Sequence, residues 1–247
     1  MIPIFTSHFS IGKSILTLDH PSKTKERSAD SIFSIAQDND LQSVVLVDSA
    51  LTGFLQAHAV AKDLGIKLIF GLKINMRPKE SNNGENGSHK IIVFAKNAQG
   101  CKLLNKIYSA AFTEQDGFMD PKNLEELWSE RDLKLAIPFY DSFIFNNTMT
   151  FNNCIPDFRF TSPTFFIESN SLPFDNLIEK RVKDYVAPHG YKTEIVKSIF
   201  YKSRNDVEAL QTYKCICGRQ FQSKSLTKPN LDHFGSDEFC MEALLEK

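Results

Sequence analysis

The sequence lacks long apolar runs. It has no uninterrupted stretch of about 18 apolar residues, the length that a membrane-spanning helix needs. The first eight residues, Met1–His8, also lack the basic segment and following apolar stretch that define a secretory signal. Both absences predict a cytoplasmic protein with no membrane partner.

The chain has no excess of charge of either sign. Its 29 basic and 30 acidic residues give a net charge of −1, so no overall positive field attracts nucleic acid. We therefore expect any contact with DNA to be local or to run through a partner protein.

Cysteine is too scarce and too scattered for a disulfide framework. The five cysteines are Cys101, Cys154, Cys215, Cys217 and Cys240. An odd number in a chain of this length indicates reduced thiols. Cys215 and Cys217 are separated by one residue, and we interpret them as thiols packed at a helix or its end rather than as metal ligands.

The usual catalytic motifs are missing. There is no glycine-rich phosphate loop, no Gly-x-Ser-x-Gly elbow and no His-Glu-x-x-His helix. The six histidines are dispersed in the sequence, so no two of them are spaced closely enough to form a local metal-binding pair. Dispersed side chains still converge in a barrel, because functional groups come from the carboxyl ends of different strands.

What the sequence does contain is an α/β pattern in 247 residues, of which 42% are hydrophobic. The predicted strands are Ile2–Phe5, Ser43–Val47, Lys67–Asn75, Lys90–Ala95, Leu133–Pro138, Thr164–Ile167 and Glu194–Phe200. The predicted helices are Ser28–Gln37, Gly53–Leu64, Ala98–Phe112, Pro121–Ser129, Pro173–Val186, Asn205–Ile216 and Ser236–Leu245.

This alternation predicts parallel strands joined by right-handed crossovers, in an open doubly wound sheet or a closed barrel. Seven strands favour the barrel. Gly65 is expected to end the second helix in a left-handed conformation. Lys79–Ser88 is rich in turn residues and predicts a surface loop, whereas Phe139–Phe160 predicts no regular element.

Several polar residues lie at or after the ends of predicted strands. His8 follows the first strand, Asp48 directly follows the second, and Lys73 and Glu168 lie at or beyond the ends of others. His8, Asp48 and Glu168 would be a conceivable metal centre. The alternative is that Asp48 caps the following helix, so that Asp48→Ala costs roughly 1 kcal/mol, and that His8 is a satisfied surface residue.

Ordered blocks of sequence carry a family resemblance. They are Val44–Ser49 (VVLVDS), Thr52–Phe54 (TGF), Ala61–Gly71 (AKDLGIKLIFG), Val93–Gly100 (VFAKNAQG), Leu103–Ile107 (LLNKI), Phe165–Glu168 (FFIE), Leu172-Pro173 and Phe234–Phe239 (FGSDEF). Together they resemble the amino-terminal PHP (polymerase and histidinol phosphatase) domain of the bacterial replicative DNA polymerase III alpha subunit. The blocks occur in family order along nearly the whole chain.

The resemblance implies a distorted seven-stranded (β/α)7 barrel, in agreement with the strand count. It implies a PHP-like barrel domain over residues 1–218 and an extension over residues 219–247 that in the family leads toward the polymerase palm. Active members hold two or three metal ions, which activate water and neutralise phosphate during phosphoester hydrolysis.

The family's ligand positions are substituted almost throughout this chain. Of the family's opening His-x-His and the histidine that often follows it, only His8 is present, and a later histidine pair is reduced to His89. The family's Thr-Asp-His is replaced by Val47-Asp48-Ser49, and its Gly-Cys-Glu by Gly71-Leu72-Lys73. Its Asp-Val-His-Tyr is replaced by Ser198-Ile199-Phe200-Tyr201, and the cysteine expected near Pro138-Phe139 is missing. An ammonium at Lys73 would repel metal ions. We therefore predict no catalytic, cofactor-binding or metal-binding residues, with His8, Asp48 and His89 as remnants of the ligand set.

The resulting hypothesis is a non-catalytic PHP-like domain of a replicative polymerase, either a fragment or a stand-alone protein, in a bacterial cytoplasm or that of a phage host. Its role would be to brace the polymerase core or to dock a proofreading exonuclease, touching DNA only indirectly. An exposed apolar patch over Phe143–Phe160 would serve docking, unless this region packs over the barrel end.

Two rival hypotheses remain open. The first is an active metal-dependent phosphoesterase or 3′–5′ exonuclease, with zinc, manganese or iron held by a rearranged set of His8, Asp48, His89 and Glu168. The second is an unrelated binding protein on a barrel scaffold.

Overall fold

The computed structural model describes residues 1–25, 28–77, 88–150, 154–217 and 236–246. The strands are β1 (Ile2–Phe5), β2 (Ser43–Asp48), β3 (Lys67–Met76), β4 (His89–Ala95), β5 (Phe118–Met119), β6 (Leu133–Ile137), β7 (Thr164–Ile167) and β8 (Lys192–Ile199). The helices are α1 (Ile32–Asp38), α2 (Phe54–Asp63), α3 (Ala98–Ser109), α4 (Pro121–Leu127), α5 (Phe143–Thr150), α6 (Asp175–His189), α7 (Val207–Cys217) and α8 (Met241–Leu245).

The strands form one sheet in the order β2-β1-β8-β7-β6-β4-β3-β5, and β2 also pairs with β3. Seven strands therefore close into a barrel, and the two-residue β5 is an extra strand beside β3. This confirms the predicted α/β seven-stranded barrel.

The prediction of parallel strands throughout is wrong at β4. This strand is antiparallel to both β3 and β6, whereas β1–β2, β1–β8, β6–β7 and β7–β8 are parallel. Parallel neighbours need a crossover, usually a helix. The sequence between β3 and β4 offers turn residues instead of a helical pattern, so strand–helix alternation did not apply there.

The chain divides into two compact units. The first comprises Met1–Ile69, Ser169–Pro173 and Val196–Lys247, and the second comprises Phe70–Glu168 and Phe174–Ile195. In the first unit the core includes the fully buried Phe5, Phe33, Leu46 and Tyr201. In the second unit it includes Ile107, Ile137, Phe143 and Phe165.

Helix ends follow local capping chemistry. The Oγ of Ser31 accepts from the backbone N–H groups of Phe33 and Ser34, so α1 begins at Ile32 and not at the predicted Ser28. Gly65 adopts φ of 67° directly after α2, which confirms the predicted left-handed stop. Gly190, also at φ 67°, ends α6 three residues beyond the predicted Val186.

The region for which no element was predicted, Phe139–Phe160, contains α5 and much of an aromatic core. Phe143, Phe145 and Phe158 are buried, and the Phe143 ring contacts Phe165 and Tyr185 edge-on. These three phenylalanines pack inside the protein and do not contribute to the predicted exposed patch. Met149 and Ile155, in the same range, are exposed, so a docking patch there stays a prediction. Aromatic side chains bury large apolar areas, which outweighs the absence of a clean periodicity.

One further difference lies near the C-terminus. The predicted helix Ser236–Leu245 is wrong at its start. Helix α8 begins at Met241, because Cys240 forms a β-bridge with Tyr201. The predicted loop Lys79–Ser88 lies outside the described residues except for Ser88. Among the helices that the structure describes, none is long and apolar enough to cross a membrane.

Candidate functional site

Asp48 lies at the end of β2, and the parallel pairing of β1 with β2 brings the segment after β1 beside it. Oδ1 of Asp48 accepts from the Ser7 N–H at 2.9 Å and from the Ser10 hydroxyl at 2.6 Å, and Oδ2 accepts from the Ser7 hydroxyl at 2.7 Å. All three residues are buried. The carboxylate thus holds the turn after β1 against the end of β2.

The two serine hydroxyls also accept hydrogen bonds. The Oγ of Ser7 accepts from the N–H of Phe9 at 3.2 Å, and that of Ser10 accepts from the N–H of Ser49 at 3.0 Å. Each hydroxyl proton is therefore directed at Asp48. Burial raises the pKa of Asp48, and the hydrogen bonds from Ser10 and Ser7 reduce but do not cancel this effect.

The helix-capping interpretation of Asp48 is wrong. Gly53 is the N-cap of α2, and no side chain caps that end. The carboxylate instead bonds to residues 38 to 41 positions away in the sequence. A sequence motif around Asp48 could not reveal partners at that separation.

His8, in the same unit, is half-buried. Its Nδ1 lies 3.2 Å from the carbonyl oxygen of Leu16, and its ring stacks at a tilt on Phe9 with centroids 4.3 Å apart. These contacts support the interpretation of His8 as a satisfied residue.

His89, Lys73 and Glu168 belong to the second unit. His89 opens β4 and is 3% exposed, with Nδ1 at 3.5 Å from the Sγ of Cys154. Burial raises the pKa of the Cys154 thiol, which favours the neutral form. Glu168 directly follows β7 and is also buried.

Lys73 lies on β3, facing a carboxylate that follows β6. Its ammonium is 3.5 Å from Oδ2 of Asp141, and the ammonium of Lys90 is 3.0 Å from the same oxygen. Asp141 adopts a positive φ of 64°, and its carbonyl accepts from the Lys90 N–H at 2.8 Å. The position where the resembled family has a metal-bridging carboxylate is thus part of a lysine–aspartate cluster.

These residues do not fit a multi-metal centre. Over the described ranges, no three or more His, Cys, Asp and Glu side chains are grouped so as to hold a metal ion. A metal at Asp48 would compete with three protein hydrogen bonds, and one near Lys73 would face a positive charge. That His8, Asp48 and His89 are remnants of a ligand set stays a prediction.

Sequence reasoning missed a second charged cluster, in the first unit. Lys197 of β8 is completely buried, and its ammonium lies 3.4 Å from Oε2 of Glu238, whose other oxygen lies 2.9 Å from Nη2 of Arg204. A visible signal was the four-residue spacing of Glu238, Glu242 and Glu246 in the sequence. The burial of Lys197 had no such signal.

Comparison with known protein families gives one match, which covers part of the chain. Residues 24–142 match the PHP domain. The match runs from before α1 to just after β6, so that it includes Asp48, Lys73 and His89. A search of curated proteins finds no match for the chain.

The PHP domain match and the closed seven-stranded barrel agree with each other, because a (β/α)7 barrel is the fold that the sequence resemblance implied. His8, Glu168 and the charged cluster at Lys197 lie outside the matched residues.

Proposed function

We propose that this chain is a metal-free PHP-like domain with a structural or docking role in a replicative DNA polymerase of the alpha-subunit family. The observation that carries the proposal is that the buried Asp48 carboxylate accepts three hydrogen bonds from Ser7 and Ser10. Both carboxylate oxygens, which an active PHP domain would offer to metal ions, already have protein donors here.

The second support comes from charge. Phosphoester hydrolysis by metal ions requires a site that concentrates negative ligands around the cations. Lys73 and Lys90 instead place two ammonium groups on one carboxylate of Asp141. A metal cation near this cluster would face two ammonium groups and one carboxylate.

The polymerase context rests on the ordered sequence blocks, which resemble the alpha subunit's PHP domain from Val44–Ser49 to Phe234–Phe239. In that family the domain braces the polymerase or docks a proofreading exonuclease. The partner proposed for this chain is therefore the polymerase core or a 3′–5′ exonuclease subunit, with DNA contacted only through it.

Metal content is the first test. Protein purified without chelator or added metal should contain no stoichiometric zinc, manganese or iron by elemental mass spectrometry, and EDTA should leave its melting temperature unchanged. A resident metal would instead stabilise the fold by mass action, by about 2.7 kcal/mol at a concentration 100-fold above its Kd. The Asp48→Asn variant is the matched control, since it should leave the metal content unchanged.

One or more tightly bound ions per chain, lost in Asp48→Asn, would overturn the metal-free proposal. Manganese-dependent cleavage of single-stranded DNA would then support the active phosphoesterase or exonuclease hypothesis. A separate pull-down with a polymerase core and with a proofreading exonuclease tests the docking role. Binding to neither would favour an unrelated binding protein.

A further inference from the structure

Residues Ser236–Glu246, here called the C-terminal strap, lie along the chain that leaves β8. The N–H of Phe200 donates to the carbonyl of Phe239 at 2.9 Å, and the N–H of Met241 donates to that of Tyr201 at 3.3 Å. The rings of Phe200 and Phe239 stack with centroids 5.3 Å apart. These contacts place the strap over the carboxyl end of β8.

A hydrogen bond ties the beginning of the strap to a second segment of the same unit. The hydroxyl of Ser236 donates to the carbonyl of Asn170 at 2.7 Å, and both residues are buried. Lys197 reaches the same segment, with its ammonium 3.4 Å from the carbonyl oxygen of Ser169. The strap and Lys197 thus meet the residues that follow β7.

The charged contacts of the strap are concentrated on two cations. Glu238 lies between Lys197 and Arg204, while Arg204 also lies 2.7 Å from Glu246 and 3.7 Å from Glu242. The backbone N–H of Arg204 donates to Glu242 at 2.9 Å. Glu242 lies in α8 and Glu246 is its C-cap residue, so their four-residue spacing places them on one face of the helix. Glu238 reaches the same guanidinium from the segment before the helix.

The buried ammonium of Lys197 links the contacts of the strap to the packing of β8. A fully buried ammonium is costly unless an opposite charge is close, and removing one partner of a buried pair is strongly destabilising. If the strap detached, Lys197 would lose Glu238 at a buried position. The ion pair therefore couples the attachment of the strap to the packing of β8.

We propose that the C-terminal strap is a closure over the carboxyl end of β8, held by an ionic latch of Lys197 and Arg204 on Glu238, and that it attaches and detaches as one unit. The inference is independent of the proposed function. It assigns to the buried lysine the role of holding the strap closed, rather than of general stabilisation of the barrel.

Hydrogen–deuterium exchange of the full chain tests the latch. In Lys197→Met, which keeps the length of the side chain but removes its charge, the amides of Met241 and Glu242 should exchange at least about tenfold faster, the factor that a loss of 1.4 kcal/mol produces. Amides of β2 should exchange at the wild-type rate. Lys192→Met, an exposed position on the same strand, is the matched control and should leave both sets unchanged.

Arg204→Gln provides an independent variant if Lys197→Met does not fold, because Arg204 is partly exposed. It should accelerate exchange at the same strap amides without affecting β2. Wild-type exchange of the strap in the folded variants would overturn the proposal. Equal acceleration of strap and β2 amides would also overturn it, since the cluster would then stabilise the unit as a whole.

Discussion

Asp48 shows how a single side chain that looks like a metal ligand or a helix cap can have a different role. Its carboxylate accepts three hydrogen bonds from Ser7 and Ser10 and is fully buried. Each partner is a protein donor that would be left buried without an acceptor if the carboxylate were removed. Buried donors without acceptors cost more than the loss of an exposed cap.

Replacing Asp48 by alanine should therefore lower the free energy of unfolding by about 2–4 kcal/mol, because hydrogen bonds to a charged group are lost and their buried donors are left without an acceptor. Asp48→Asn, which keeps one acceptor and the shape, should cost roughly 1 kcal/mol. Urea denaturation of both variants measures the difference. A loss in Asp48→Ala as small as that in Ser49→Ala, a neighbouring exposed site, would contradict this role.

At the scale of elements, the block Val93–Gly100 forms the junction between β4 and α3. Asn97 caps α3 by accepting from the N–H of Gly100 at 2.9 Å, and its amide donates to Asp132 at 2.8 Å. The N–H of Lys96 donates to the carbonyl of Asp132 at 2.8 Å. Hydrogen bonds from Ser129 and Asn97 hold the pKa of Asp132 below its ordinary value, so its carboxylate stays ionised.

The glycine of this block is required by space. A Cβ on Gly100 would collide with the backbone carbonyl of Asp132 and lie 3.2 Å from the Cα of Ala95. We expect Gly100→Ala to lower the free energy of unfolding by about 1–3 kcal/mol, because backbone atoms cannot move aside as a flexible side chain can.

The sign of the effect makes this test sharp. In an open helical position alanine is favoured over glycine by about 1 kcal/mol, so that Gly100→Ala would stabilise the protein if the site had room. Gln99→Ala, exposed in the same turn, is the control and should change stability little. Thermal or urea unfolding of the two variants distinguishes the outcomes.

At the scale of the whole molecule, the attachment of the C-terminal strap depends on pH through Glu238. Burial acts to raise the pKa of this carboxyl, but the hydrogen bond from Arg204 and the charges of Lys197 and Arg204 outweigh it and hold the pKa below the ordinary value of 4.5. Arg204 likewise lowers the pKa of Glu246. The stabilisation by Glu238 is therefore complete above pH 4.5 and is lost as pH falls through the lower pKa of the folded state.

The variant Glu238→Gln should be less stable than wild type at neutral pH, and the difference should shrink as pH falls below 4.5. Urea midpoints between pH 7 and pH 3 measure it, with Glu126→Gln, an exposed position on α4, as the control. A difference that stays constant down to pH 3 would mean that the charge of Glu238 does not stabilise the fold.

The class of fold and much of its local detail were predictable from the amino-acid sequence alone. Alternating strands and helices predicted the seven-stranded barrel, and Gly65 predicted the end of α2. These predictions are confirmed because periodicity, capping and backbone conformation depend on residues only a few positions apart. The same local signals gave no account of the direction of β4 or of the buried aromatic side chains around α5.

The partners of the charged residues became visible only in the folded chain. Asp48 meets serines 38 to 41 positions away, and Lys197 meets Glu238 at a separation of 41. Whether a carboxylate is free for a metal, or an ammonium is tolerable in the core, depends on such distant partners and on burial. The sequence determined which groups are present, and folding determined which of them are already paired.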